Sequence, residues 1–283
     1  MTSQDVVVRV RRALGAERAG HTGTLDPFAT GLLLLLLGRA TRLANFVQQE
    51  PKEYEALIRF GVETDTDDAT GAPIREATLP DESAVTPAIS ALTGDIVQVP
   101  PAFSAKHVEG KRAYRFAREG VPAELKPVRV RVDRWEIIAQ TGDALRARIT
   151  CGSGTYIRAL ARDLGRLTNS AAHCAELRRM RCGPFAVDDA VLPDAVTTGH
   201  LRPALMALAG LPAERVDAAA ALGVAHGRDI DATISGAWAA LVDDGSQLVA
   251  VAEREGDRWQ PRVVLIDPPP ATSHLAPRAS GLG

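Results

Sequence analysis

Cysteine is scarce in this chain. Of 283 residues only Cys151, Cys174 and Cys182 are cysteine. The number is odd and no pair has CxxC spacing, which argues against a disulfide framework and for a reducing interior. His173 beside Cys174, with Cys182 further on, hints at zinc, but no second close ligand pair accompanies them and no metal is expected. Long apolar runs are also missing. The longest, Leu32–Leu37, has six leucines, against the ~20 residues that a bilayer span needs. Met1 leads into "TSQDVVVRVRR" and not into an apolar leader. No membrane association is expected, and a cytoplasmic location is. The "GSG" at 152–154 lacks the third glycine of a dinucleotide fingerprint. "VETDTDDATG" carries Asp65, Asp67 and Asp68 but lacks the spacing and closing glutamate of a calcium loop, so a solvated acidic loop is expected. No internal repeat is visible.

What is present suits a soluble enzyme-sized chain. The hydrophobic fraction is 46% and the charged fraction 24%, enough to bury a sizeable core, and the length fits one large domain with a small one. The net charge of −2 hides segregation. Residues 61–100 hold one basic and eight acidic side chains, whereas residues 101–190 hold 17 Lys and Arg against 10 Asp and Glu. The basic block is where a phosphate backbone is expected to lie, with Arg178 and Arg179 facing it.

Periodicity supplies the elements. A helix capped by Ser3 or Asp5 runs to Leu14, with Val6, Val10 and Leu14 on one face and Gly15 as its stop. Leu32–Leu37 reads as a buried strand, and residues 40–49 as a helix. "KEYEALIRFG" alternates Tyr54, Ala56, Ile58 and Phe60 against charged neighbours, the pattern of a strand with one buried face. A short helix is expected over 86–93, strand and loop in "GDIVQVPPAFSAKHVEG", and a helix in "KRAYRFAREG" stopped by Gly120. "VRVRVDRWEI" and "ALRARITC" alternate strictly, "GTYIRALARDLGRL" is a helix opening on a glycine turn, and "ELRRMRCGPF" is a basic strand. Without regular βαβ spacing, this mixture argues for an α+β fold with a mostly antiparallel sheet. After about residue 210 come an Ala-rich helix and three short strands, a small β-rich module over 211–267. The tail 268–283 has the composition of disorder.

One stretch raises a chemical question. In "GHTGTLDPFATG" a single carboxylate, Asp26, stands among small residues. Asp-Pro and Gly favour a turn, but the same composition suits a nucleophile on a tight loop that a substrate's backbone must approach closely. Gly23, Thr24, Ala29 and Gly31 leave that room.

Five segments in order resemble the TruB-type tRNA pseudouridine-55 synthases of the bacterial stand-alone kind: "RAGHTGTLDPFATGLL", "KEYEALIRFGVETDTDDATG", "GDIVQVPPAFSAKHVEGKRAYRFAREG", "CGSGTYIRALARDLG" and "AAHCAELRRMRCGPF". Together they span roughly residues 2–190. The resemblance implies a pseudouridine synthase core of mixed, mostly antiparallel sheet with flanking helices over 1–210, followed by an RNA-contacting module over 211–267. It implies cofactor-free isomerisation of uridine 55 in the tRNA T loop. The N-glycosidic bond breaks, the uracil rotates and it rejoins through C5.

Asp26 matches the family's catalytic aspartate. Tyr54 matches its stacking tyrosine, Tyr156 and Leu177 match residues lining the uracil site, and His21 matches the residue that fills the space of the flipped base. Arg158 matches the basic partner of the aspartate, which would hold the carboxylate charged and oriented. The partner implied is the T-arm of tRNA, with no guide RNA, and the protein is expected to be a monomer. Relatives usually begin with an apolar strand and a "DKPxG" turn before the stretch matched by "TSQDVV". This sequence shows neither, so Met1 is expected to be internal to a natural chain longer by about 10–25 residues.

Overall fold

The computed structural model describes residues 1–103 and 125–267, together with the backbone of the two-residue strands β8 (His107–Val108) and β9 (Lys111–Arg112). The chain divides into two compact units, Met1–His200 and a second beginning at Leu201, so the division falls earlier than the expected residue 210. The expected helix in "KRAYRFAREG" and the tail 268–283 lie outside the described residues, apart from the strand Lys111–Arg112.

In the first unit, helix α1 (Ser3–Ala13) is capped by Thr2 rather than by Ser3 or Asp5. Thr2 Oγ1 accepts from Asp5 N–H at 3.2 Å and Thr2 N–H donates to Asp5 Oδ2 at 2.8 Å, a capping box that satisfies two end groups reciprocally. The buried face is Ser3, Val7 and Val10, not the predicted Val6, Val10 and Leu14. Ser3 is inward because its hydroxyl accepts from Leu25 N–H at 3.0 Å and donates to Leu25 O at 3.2 Å. α1 therefore grips the Asp26 loop from outside.

Short strands β1 (Ala19–His21), β2 (Thr30–Gly31) and β3 (Leu35–Leu37) flank that loop, β1 and β3 pairing antiparallel. Only the last half of the leucine run is strand, and only Leu32 is buried. The first half is diverted: Leu32 N–H donates to Arg179 O at 2.9 Å instead of joining a ladder with β1. The helix expected over 40–49 is a 3₁₀ segment, Gly38–Leu43. Thr41 Oγ1 donates to Gly38 O at 2.8 Å, a local bond that competes with regular helix.

The main sheet has seven strands. β4 (Lys52–Phe60) lies at its centre between β11 (Ala144–Cys151) and β12 (Ala172–Cys182). The sheet continues through β10 (Val128–Gln140) to β7 (Gly94–Gln98) on one side, and β13 (Phe185–Ala186) and β2 pair with β12 on the other. All these pairs are antiparallel except β2 with β12. Tyr54, Ala56, Ile58 and Phe60 alternate inward as the sequence predicts. Helix α2 (Glu82–Ala91) starts earlier than the predicted 86, at the Asp81 cap, and buries Val85, Ala88 and Ile89. Helix α3 (Ile157–Leu167) lays Ile157, Leu160, Ala161 and Leu164 into the same core. Strands β5 (Val62–Thr64) and β6 (Pro73–Glu76) form a separate hairpin.

The second unit is a five-stranded sheet. β14 (Ala213–Arg215) pairs parallel with β16 (Trp238–Val242). β17 (Leu248–Glu255), β18 (Arg258–Val264) and β15 (Ile230–Asp231) follow antiparallel. Helix α4 (Ala218–Ala225) and the fully buried Trp259 fill its core. The Trp259 indole N–H donates to the buried carboxylate of Glu214 at 3.0 Å.

Candidate active site

The Asp26 loop is held at both ends by one buried side chain. Arg179, on β12, donates from Nε to Leu32 O at 2.7 Å and from Nη2 to Gly23 O at 3.1 Å. It is 2% exposed. The expectation that Arg179 faces a phosphate backbone is therefore overturned, while its neighbour Arg178 is exposed. The strand's alternation explains the split, because Arg179 shares the inward face with Leu177. Gly31 has φ +96°, and a Cβ there would lie 2.3 Å from Arg179 O. Only glycine permits that approach. Between these anchors the chain reverses, with Ala29 N–H donating to Asp26 O at 2.9 Å across Pro27 and Phe28, a turn with proline in its favoured second place.

Asp26 meets Arg158 in a two-point pair: Arg158 Nε to Oδ2 at 2.8 Å and Nη2 to Oδ1 at 3.0 Å. The Asp26 side chain keeps 33% of its surface, whereas that of Arg158 keeps 3%. The carboxylate is therefore fixed in direction yet still open to a substrate. Arg158 also donates through Nη1 to Thr66 O at 2.7 Å and to Asp68 Oδ2 at 3.3 Å, and through Nη2 to Phe103 O at 3.0 Å. All five guanidinium hydrogens have acceptors.

Asp68 belongs to the stretch read as a solvated loop, and that reading is wrong. Asp67 and Asp68 are 5% and 4% exposed. Three arginines spaced four apart on α3 each meet an acid from the segment 63–68. Arg158 meets Asp68, Arg162 Nη1 meets Asp67 Oδ2 at 2.8 Å, and Arg166 binds Glu63. The acids are the counter-charges of this arginine row, buried at Arg158 and Arg162 and exposed at Arg166, which the sequence separates from them by about 90–100 residues. Burial carries the Asp67 carboxyl up to about 6, against the opposing pull of Arg162 and Arg158. Burial would also raise Glu63, but hydrogen bonds and charge from Arg166 and Arg75 bring it below its ordinary value.

The other predicted residues stand on elements that neighbour the loop or Arg158. Tyr54 and Leu177, 9% and 7% exposed, belong to the core cluster against which Phe28 and Ala29 of the loop pack. Burial pushes the Tyr54 phenol up to about 12, with the charge of Arg179 acting the other way. Tyr156, half-buried, is the residue before α3 and stands two positions from Arg158. His21 ends β1. Its Nδ1 is buried without a hydrogen-bond partner, and burial, then Arg179, lowers its pKa.

The cysteines are buried: Cys174 Sγ donates to Glu176 O at 3.4 Å, and burial pushes the Cys151 thiol up to about 12. His173 Nδ1 lies 2.9 Å from Val62 O. Among the described residues no group of three or more His, Cys, Asp or Glu side chains is placed to hold a metal ion, and no helix is long and apolar enough to cross a membrane.

Known proteins share this arrangement of sequence and fold. Residues 11–157 match the N-terminal domain of the TruB family pseudouridylate synthases, and residues 211–266 match the C-terminal region of tRNA pseudouridine synthase II. The tRNA pseudouridine synthase B of Aromatoleum aromaticum is 41% identical over 265 residues, covering 91% of this chain and 86% of that protein. That of Thermobifida fusca is 42% identical over 276 residues, covering 93% and 94%. A chain from a crystallised Cbf5–Nop10–Gar1 complex superposes with a TM-score of 0.71 at 25% identity, over 95% of this chain and 82% of that one. On this evidence the chain belongs to the TruB family of pseudouridylate synthases.

Proposed function

We propose that this enzyme converts uridine 55 in the T loop of tRNA to pseudouridine, acting as a monomer without guide RNA or cofactor, with Asp26 as its catalytic carboxylate. The observation that carries this reading is the Asp26–Arg158 pair: a carboxylate aimed by a buried fork, on a loop of small residues, with a third of its surface free. Arg158 keeps the anion from turning away, so the side chain is oriented before the substrate arrives. Relatives at about 40% identity that carry the name tRNA pseudouridine synthase B support tRNA as the substrate.

In the net reaction the C1′–N1 bond of the nucleotide is broken and a C1′–C5 bond forms. C5 loses its proton and N1 gains one, so nothing is oxidised or reduced. The uridine must leave its stack to reach Asp26. Tyr54, Tyr156 and Leu177 receive the uracil, and His21, with its unpartnered ring nitrogen, occupies the space the base leaves. Arg178 and the other exposed arginines of residues 101–190 meet the phosphates.

The test is a T-arm stem-loop transcript treated with the purified protein alone after dialysis against chelator. Pseudouridine at position 55, with tritium released from C5-labelled uracil, is expected. No product, product only with added guide RNA or metal, or modification elsewhere overturns the corresponding part of the reading.

A further inference from the structure

Gln98 is the last residue of β7, and it is 1% exposed. A glutamine so fully enclosed requires partners for both ends of its amide. Here both ends go to a single peptide unit pair. Gln98 Oε1 accepts from Tyr156 N–H at 2.9 Å, and Gln98 Nε2 donates to Tyr156 O at 3.1 Å. The side chain thus pairs with the main chain of Tyr156 much as a neighbouring strand would.

The place matters because Tyr156 is the entry to α3. Its backbone is extended, at φ −101° and ψ 109°, and its side chain makes no capping bond. Tyr156 O already accepts from Leu160 N–H at 3.1 Å in the first turn of the helix. The Tyr156 N–H precedes the helix and has no partner within it, so the Gln98 amide supplies what the local sequence does not. Two residues on stands Arg158, whose guanidinium aims Asp26. The chain after Gln98 is tied to the same helix twice more. Arg162 Nη2 donates to Val99 O at 2.8 Å and Arg158 Nη2 to Phe103 O at 3.0 Å. Gln98 meets α3 at its start, and the two arginines that make these bonds stand within its first two turns.

We infer that Gln98 is a positioning residue for pseudouridine formation: by clamping the Tyr156 peptide it sets the pose of Tyr156 and, through the first turn of α3, the direction of the Arg158 fork toward Asp26. It touches no substrate. The inference rests on Tyr156 and Arg158 serving the reacting uridine.

Two near-isosteric variants test it. Gln98→Glu can still accept from Tyr156 N–H but cannot, when ionised, donate to Tyr156 O. Gln98→Met keeps the length and loses both bonds. Single-turnover pseudouridine formation, counted at any position of the tRNA, and tRNA affinity are measured beside wild type, with thermal unfolding as the check on folding. The expected result is a rate lowered at least about tenfold in Gln98→Met and less in Gln98→Glu, with Kd for tRNA within about threefold and both proteins folded. A folded Gln98→Met protein with a rate within twofold of wild type overturns the inference. So does a loss paid entirely in Kd, or failure of both variants to fold, since either assigns Gln98 to binding or to the core. An inactive wild-type protein instead refutes the functional reading itself, so the two failures are distinguishable.

Discussion

Asp26 and Arg158 face each other through two parallel N–H···O contacts, 2.8 and 3.0 Å long, across 132 residues of sequence. The geometry makes the carboxylate a directed group. Asp26→Asn keeps the shape and removes the anion. It is expected to abolish pseudouridine formation while tRNA affinity stays within about tenfold, because phosphate contacts supply most of the binding. Quantifying pseudouridine and a filter-binding Kd on the same preparation checks this. A variant retaining more than a few per cent of the rate removes Asp26 from the chemistry.

Arg158 should be irreplaceable for two separable reasons. Arg158→Met leaves Asp68 buried without its cation, and breaking such a pair costs about 3–5 kcal/mol, readable as a lowered urea midpoint. Arg158→Lys retains a charge but cannot make the fork to Asp26. It should lose less stability and yet fall at least about tenfold in single-turnover rate. A lysine variant with the wild-type rate would show that charge alone, without the two-point geometry, is sufficient.

Adjacent arginines on β12 should behave in opposite ways. Arg178 is exposed and opposite Thr30, next to the Asp26 loop. Arg178→Ala should reduce the log–log salt slope of tRNA binding by roughly 0.7–0.9 and leave stability unchanged. Arg179 is enclosed and holds the carbonyls of Gly23 and Leu32. Arg179→Met removes two charge-assisted bonds and should cost about 3 kcal/mol by denaturation, with an unchanged salt slope. If Arg179→Met alters the slope and not the stability, its side chain meets the RNA after all.

These residues also show what the sequence reveals and what it hides. Tyr54 and its strand were legible because period-2 alternation is a local signal that a one-sided sheet must carry. Asp26 stood out because a lone carboxylate among small residues is a local composition, and the structure sets it against Arg158. Asp67, Asp68 and Glu63 were not, since a run of acids reads as solvated until the cations that bury it are known. Those cations, Arg158, Arg162 and Arg166, stand about 90–100 residues away. A signal did exist in their four-residue spacing on a helix whose remaining residues are largely apolar. For Arg179 the signal lay in strand alternation itself, which puts it on the face of Leu177. Gln98 had none, because its partner is a backbone peptide and carries no residue identity.

The buried Asp67 supplies a prediction about pH. Its carboxyl titrates near 6 in the folded protein, raised chiefly by burial from the ordinary 3.8, with Arg162, Arg158 and Arg166 pulling it down and Glu63 pushing it up. A carboxyl whose folded pKa exceeds its unfolded one binds its proton more tightly in the native state. Between the two values the native protein holds the proton and the unfolded chain does not, so stability rises as pH falls through this window. About two units correspond to about 3 kcal/mol. Asp67→Asn removes the titration and leaves every other group nearly as it was. The stability of wild type minus that of Asp67→Asn, from urea unfolding at a series of pH values, should therefore be flat above pH 7. It should climb in favour of wild type between pH 6 and 4, and level off below. A difference that falls instead as the solution is acidified would mean that the Arg162 contact outweighs burial and that Asp67 is an ordinary ion-paired aspartate.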